Sequence, residues 1–99
     1  MRFSTSSGRK TTSTQITTQP GYLCGIDANP SDSQIATLTI YDSENSDTTN
    51  KLVLAEVYLD AGFMSVSHEF PNPIHANRGI YAELTSSGSN ANFIIRYSL

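Results

Sequence analysis

Tryptophan is absent from this sequence, cysteine occurs once, and charged residues make up only 15% of the chain. The single cysteine, Cys24, excludes a disulfide within the chain, and only two histidines accompany it, whereas a structural zinc site needs four ligands, commonly Cys and His. No run approaches the ~20 consecutive apolar residues that span a membrane. Residues 1–10 contain no hydrophobic segment typical of a secretory leader. We therefore expect a soluble product, made in a cytosol, that contacts no membrane.

Hydroxyl and amide side chains dominate instead. Serine and threonine together supply 25 of the 99 residues, and seven more are asparagine. This composition favours β-strands with hydroxyl-bearing outer faces and loops rich in turn formers, and it disfavours long helices. A chain of this length forms one domain with one small core.

The formal net charge of −3 is unevenly distributed. Arg2, Arg9 and Lys10 give the first ten residues a charge of +3, while the other 89 residues contain three basic and nine acidic side chains. We predict an extended basic arm at 1–11 followed by a single domain at 12–99. The arm is either a frayed terminus or a segment that docks on an acidic partner with Phe3 as an apolar anchor. Nucleic acid is not expected as a partner, because three charges neutralise few phosphates and the acidic body repels the backbone.

Two stretches, 36–41 and 52–59, alternate apolar and polar residues with the period of two that is typical of half-buried strands. A polar turn at 42–50 joins them, so they are predicted to pair antiparallel. The alternation places Ala36, Leu38, Ile40, Val53, Ala55, Val57 and Leu59 on the core side, and Tyr41, Leu54, Glu56 and Tyr58 on the outer side.

Similar alternation predicts strands at 12–18, 22–27, 64–70, 80–85 and 93–98, with turn signals about every 8 to 12 residues. Pro71 and Pro73 are expected to end their strand at residue 70, because proline cannot donate to a ladder. Residues 74–76 would add an eighth strand if they pair, and 86–90 are predicted to form a hairpin loop. We expect an all-β, antiparallel β-sandwich of jelly-roll type, although periodicity alone leaves an immunoglobulin-like order open.

The order of these segments resembles that of a group of small β-sandwich proteins encoded by tailed phages, including cyanophages. The resemblance rests on Thr-Leu-Thr-Ile-Tyr-Asp at 37–42, Leu-Val-Leu-Ala at 52–55, Phe-Pro-Asn-Pro-Ile at 70–74 and Asn-Arg-Gly-Ile-Tyr-Ala-Glu-Leu-Thr at 77–85. One departure is the loop at 42–50, which is more acidic than the Ala/Ser/Gly-rich loop of that group.

The resemblance implies a non-enzymatic virion structural protein, either a capsid decoration or cement protein or a small tail accessory component. Implied partners are the phage major capsid protein or tail proteins, together with further copies of the chain, a trimer being favoured. The implied location is the virion, after synthesis in the host cytoplasm. The alternative is a tail or tail-fibre component that acts as a receptor- or glycan-binding module.

Candidate partner-binding residues fall into two sets. The first is the basic arm with its aromatic anchor. The second consists of outer-face side chains that would stack on sugars or fill a protein interface, or merely cover neighbours on their own sheet. The candidates are Arg2, Phe3, Arg9 and Lys10 in the first set, and Tyr41, Leu54, Tyr58 and Tyr81 in the second.

No catalytic residue, cofactor or metal is predicted. His68 alternates onto the apolar face of its strand and is expected to be a hydrogen-bonded core residue, while His75 is expected to be exposed. Cys24 is expected to lie in the core as an unreactive thiol. Asp42 and the loop that follows it have carboxylates at alternating positions, as calcium loops do, but they lack the EF-hand spacing and are expected to form a solvated turn. Glu56, Glu69 and Glu83 are expected on outer faces, with no cleft to join them into a glycosidase pair.

Overall fold

The computed structural model describes residues 4–30, 35–60, 65–86 and 91–99, and these residues form eight β-strands. The all-β prediction is confirmed, and every strand pair is antiparallel. The strands are β1 (Thr5–Ser6), β2 (Thr14–Thr17), β3 (Gly21–Asn29), β4 (Ala36–Asp42), β5 (Leu52–Leu59), β6 (Val66–Ala76), β7 (Ile80–Ser86) and β8 (Asn92–Ser98).

Two four-stranded sheets build the sandwich, in the orders β1-β8-β3-β6 and β2-β7-β4-β5. The pairs β1 with β8, β2 with β7, β3 with β6 and β4 with β5 nest inside one another. The chain is therefore one long hairpin, with its tip between β4 and β5, that wraps so that successive pairs lie in alternate sheets. This is the strand order of a jelly roll.

Alternation in the central strands supplies the core. Both sheets contribute side chains with no exposed surface, and the apolar residues form one contiguous cluster. The largest fully buried apolar side chains are Phe93, Leu23, Ile26, Leu38, Ile40, Leu59, Ile80 and Ile95.

A bulge in β3 changes the face assignment of its first half. Leu23 pairs with Ile74 and Gly25 pairs with Glu69, so Cys24 alone lies opposite residues 70–73 of β6. An extra residue in one strand reverses the alternation beyond it. Leu23 is consequently buried, and Cys24 is half-buried outside the core cluster, so its predicted core position is wrong.

The predicted end of β6 at residue 70 is also wrong. β6 continues through Pro71 and Pro73 to Ala76, because it is an edge strand and a proline there need not donate to a neighbour. Residues 74–76 pair with β3 as part of β6. The eighth strand is instead Thr5–Ser6.

A second bulge lies in β5. Ile40 pairs with Ala55 and Tyr41 pairs with Val53, so Leu54 is the extra residue. Leu54 is partly buried against the core, whereas Val53 is 47% exposed. The prediction that Leu54 lies on the outer face and Val53 on the inner face is therefore wrong.

The two ends of the chain pair with each other. The N–H of Ser7 donates to the carbonyl of Ile95 at 2.8 Å, and Lys10 and Phe93 exchange backbone hydrogen bonds of 2.8 and 2.9 Å. Residues 5–10 thus follow β8 as an edge of its sheet. β7 and β8 belong to different sheets, so the predicted hairpin between them is wrong; residues 87–90 of that loop lie outside the described residues.

Candidate functional site

The outer face of the β2-β7-β4-β5 sheet contains three tyrosines and an exposed valine. Residues directly opposite each other in an antiparallel pair project from the same face. The register therefore arranges three rows across the sheet: Tyr81, Tyr41 and Val53; Glu83, Thr39 and Glu56; and Thr85, Thr37 and Tyr58. We call Tyr41, Tyr58, Tyr81 and Val53 the tyrosine face.

Exposure is greatest along β5. Tyr58 is 68% exposed and Val53 is 47% exposed, while Tyr41 and Tyr81, which lie opposite each other, are half-buried. Large exposed side chains that share one face mark interaction sites more often than scattered ones do. The predicted outward direction of the three tyrosines is confirmed.

Hydrogen bonds fix the orientation of the tyrosine at the sheet edge. The hydroxyl of Tyr58 donates to Oε1 of Glu56 at 2.5 Å, and the hydroxyl of Thr39 donates to Oε2 at 3.3 Å. The bond to the Glu56 carboxylate, and then its negative charge, raise the pKa of Tyr58 above its ordinary value of 10.0. Tyr58 therefore keeps its proton and remains a donor over the physiological range.

The two sets of predicted contact residues lie on different sheets. Arg9 is exposed and Lys10 half-buried beside β8, while Arg2 and Phe3 lie outside the described residues. The three tyrosines share the β2-β7-β4-β5 sheet. The structure therefore joins Tyr41, Tyr58 and Tyr81 with Val53, and it separates them from Arg9 and Lys10.

A buried polar cluster supports one end of the tyrosine face. Asp42, 5% exposed, accepts three backbone hydrogen bonds from the turn between β6 and β7. Oδ2 accepts from the N–H of Asn77 at 3.0 Å, and Oδ1 accepts from Arg78 at 2.8 Å and Gly79 at 3.4 Å. The expected solvation of Asp42 is therefore wrong, since the turn 77–79 covers it.

Gln15 closes the same end from β2. Its Nε2 donates to the carbonyl oxygens of Thr17, Ser43 and Ile80 at 2.8, 2.9 and 3.0 Å. These contacts join segments up to 65 residues apart. No local sequence pattern indicates such a partner for a single glutamine, and sequence analysis did not identify Gln15.

On the outer face of the other sheet, Arg96 and Asp27 bind each other and neighbouring groups. The Arg96 guanidinium lies over Gly25, where a Cβ would come within 2.4 Å of Nη2. Nη1 of Arg96 lies 3.4 Å from Asp27 Oδ2, Nη2 donates to the carbonyl of His68 at 3.2 Å, and Ser67 donates to Asp27 at 2.6 Å. These contacts hold the Arg96 guanidinium against its own sheet.

Both histidines are exposed on β6. His68 pairs with the buried Ile26 and so projects from the core side, but it lies on an edge strand and its expected burial is wrong. The predicted exposure of His75 is confirmed, and its ring centroid lies 4.9 Å from that of Tyr22.

The acidic loop between β4 and β5 directs its polar atoms at its own backbone. The Ser43 hydroxyl donates to the carbonyl of Asn45 at 2.7 Å, and the N–H of Thr49 donates to Asp47 Oδ1 at 3.0 Å. Lys51 Nζ lies 3.6 Å from Glu44 Oε2. Within the ranges that the structure describes, no three His, Cys, Asp or Glu side chains are placed to hold a metal ion, and no helix is long and apolar enough to cross a membrane.

Comparison of the chain with protein-family models, with curated proteins and with solved structures finds no match.

Proposed function

We propose that this protein is a non-enzymatic virion structural protein, a capsid decoration protein that attaches to the particle surface in many copies. The observation on which the proposal rests is the tyrosine face, in which Tyr58 and Val53 of β5 are exposed. Tyrosine is enriched at protein interfaces because its ring buries apolar area while its hydroxyl remains hydrogen-bonded. The phage context comes from the resemblance of the segments at 37–42, 52–55, 70–74 and 77–85.

Three features of the described residues agree with attachment by surface contact. The two sheets enclose an apolar core. Arg96 and Asp27 of the other sheet face, and Ser43 and Asp47 of the acidic loop, are already bonded within the chain. Residues 5–10 are held against β8 by backbone hydrogen bonds, so the body is compact up to its edge. Repeated copies of a small rigid body on a symmetric lattice combine weak contacts into stable attachment.

The first experiment counts copies. Particles purified from cells that produce this protein are analysed by quantitative mass spectrometry against the major capsid protein. Hundreds of copies per particle are expected. A dozen or fewer would favour the tail or receptor role instead, and absence from the particle would overturn the proposal.

The second experiment tests the surface. Tyr58→Ala removes the most exposed ring of the tyrosine face, and His75→Ala removes an exposed ring from the other sheet as a matched control. We expect Tyr58→Ala to lower particle occupancy while His75→Ala leaves it unchanged. Equal occupancy for both variants would exclude the tyrosine face as the attachment surface.

A further inference from the structure

One of the four sheet edges is open to strand pairing. β1 has two residues, β2 has four residues and a bulge, and β6 contains two prolines and a four-residue bulge. β5 has eight residues, Leu-Val-Leu-Ala-Glu-Val-Tyr-Leu, with no proline and no basic side chain, and it ends its sheet. Short strands, prolines, bulges and lysines are the devices that protect edges, and β5 has one of them, its bulge at Leu54.

We propose that the β5 edge binds the β5 edge of a second copy of this chain, antiparallel and centred on Val57. The pairing would join the two β2-β7-β4-β5 sheets into one sheet of eight strands across a twofold axis. It would also make the two tyrosine faces continuous. This inference is independent of the virion role, because it concerns the purified chain alone.

The sequence of β5 selects this register. Opposite residues must share a face, so the twofold axis can lie at Glu56, at Val57 or at Tyr58. A centre at Glu56 places two copies of that carboxylate opposite each other, and a centre at Tyr58 places Glu56 opposite Asp60. Only the centre at Val57 places each Glu56 carboxylate opposite the Tyr58 hydroxyl of the other copy. This pairing occurs twice, once on each side of the twofold axis.

Within one chain, the Tyr58 hydroxyl and the Glu56 carboxylate already lie within hydrogen-bonding distance of each other. Tyr58 already donates to Glu56 from the same face of the same strand. In the paired edge each tyrosine hydroxyl would lie between the carboxylate of its own strand and the carboxylate directly across, and its one proton would go to either of them. Val57, 5% exposed, faces the core, so the ladder is dry on its inner side.

A second copy fits this edge better than an unrelated strand does. The outward residues at the centre of β5 are one carboxylate and one phenol, and a twofold axis at Val57 places each carboxylate opposite a phenol and not opposite another carboxylate. The prolines of β6, the edge of the other sheet, prevent that sheet from continuing its ladder in the same way. Only the β2-β7-β4-β5 sheets of the two copies are therefore joined, and the junction is symmetric. It gives a dimer, whereas the resemblance favours a trimer.

Light scattering coupled to size exclusion gives the first test, on the untagged chain over a series of concentrations. We expect a mass of twice 10.8 kDa that falls toward the monomer on dilution. A monomer at the highest soluble concentration, or a trimer, overturns the proposal.

Charge variants at one exposed position give the second test. Tyr58→Asp would place a carboxylate opposite Glu56 of the other copy twice, which should weaken association about tenfold or more. Tyr58→Lys would instead oppose unlike charges and should retain the dimer, and Glu56→Lys should restore it in the Tyr58→Asp chain. Equal masses for the Asp and Lys variants at one concentration would contradict this register.

Disulfide formation between two different variants gives the third test, in a Cys24→Ser background. Glu56→Cys protein mixed with Tyr58→Cys protein should form a mixed disulfide under mild oxidation, because these positions lie opposite each other. Each variant alone should not, because its two cysteines lie diagonally across the junction, beyond the Cα separation of ~7 Å that a disulfide can bridge. Cross-linking of either variant alone with no preference for the mixture overturns the register.

Discussion

Replacing Asp42 with asparagine tests whether a buried carboxylate anchors the turn between β6 and β7. The carboxylate is 5% exposed and accepts backbone hydrogen bonds from Asn77, Arg78 and Gly79. Asparagine keeps the shape and one oxygen, but its NH2 group would face a backbone N–H. The change therefore removes the charge and one acceptor while leaving packing intact.

The expected loss follows from those three bonds. A hydrogen bond to a charged group contributes about 1.5–3 kcal/mol, and a neutral acceptor about half as much. One bond is lost and two become neutral, while Asn77 and Arg78 are exposed enough for water to replace part of the loss. We expect Asp42→Asn to lower the free energy of unfolding by ~2–4 kcal/mol, a large share of the ~5–15 kcal/mol typical of a domain.

Urea and thermal unfolding followed by circular dichroism measure this loss, at one fixed protein concentration so that association does not contribute. The midpoint temperature should fall on the order of 10–20 °C. Asp60→Asn, at an exposed acid just after β5, is the matched control and should change stability by less than about 0.5 kcal/mol. An Asp42→Asn protein as stable as this control would refute the role of Asp42.

Three further outcomes are expected. Gly79→Ala places a Cβ 2.6 Å from the Thr17 carbonyl oxygen, and unfolding should show a loss of ~1–3 kcal/mol; unchanged stability would contradict the close packing. Glu56→Gln should lower the pKa of Tyr58 toward 10.0 in an ultraviolet absorbance titration, because the carboxylate raises it; an unchanged midpoint would argue against their bond. The pKa of Asp47 is lowered from 3.8, mainly by the backbone N–H of Thr49, so its stabilisation is present above pH 3.8 and is lost as pH falls through the folded value. The amide resonance of Thr49 should titrate below 3.8 in wild type and not in Asp47→Asn.

Alternation predicted the central strands well because both of their neighbours are strands. Ala36, Leu38 and Ile40 of β4 are all buried as expected. It failed where a bulge inserts one residue, since all side chains beyond that point change face. Cys24 and Leu54 are the bulge positions at which the predicted faces were wrong, and no local signal in the sequence distinguishes them from regular strand residues.

Strands at the edges of the sheets were the second source of error in the sequence-based predictions. His68 projects from the core side as its position predicts, yet it is exposed because β6 is the edge strand of its sheet in the part of the chain that the structure describes. Pro71 and Pro73 indicate the end of a strand only if that strand has two neighbours. Whether a strand is central or at an edge depends on the whole topology, which periodicity does not contain.

The candidate site was predictable in part. The three tyrosines follow from alternation, but exposed Val53 was missed because the β5 bulge reverses its side of the sheet. Asp42 looked like the first residue of a solvated turn. Its burial depends on a turn 35 to 37 residues later in the chain, a distance over which local patterns give no information.

Tyrosine-specific labelling of assembled particles tests most directly whether the tyrosine face makes the contact. The protein is iodinated free and in particles, and each tyrosine is quantified by mass spectrometry. We expect Tyr41, Tyr58 and Tyr81 to lose labelling in the particle, while Tyr22 on the other sheet keeps it. Loss of labelling at Tyr22 with the other three unchanged would contradict the assignment of the β2-β7-β4-β5 sheet as the attachment surface.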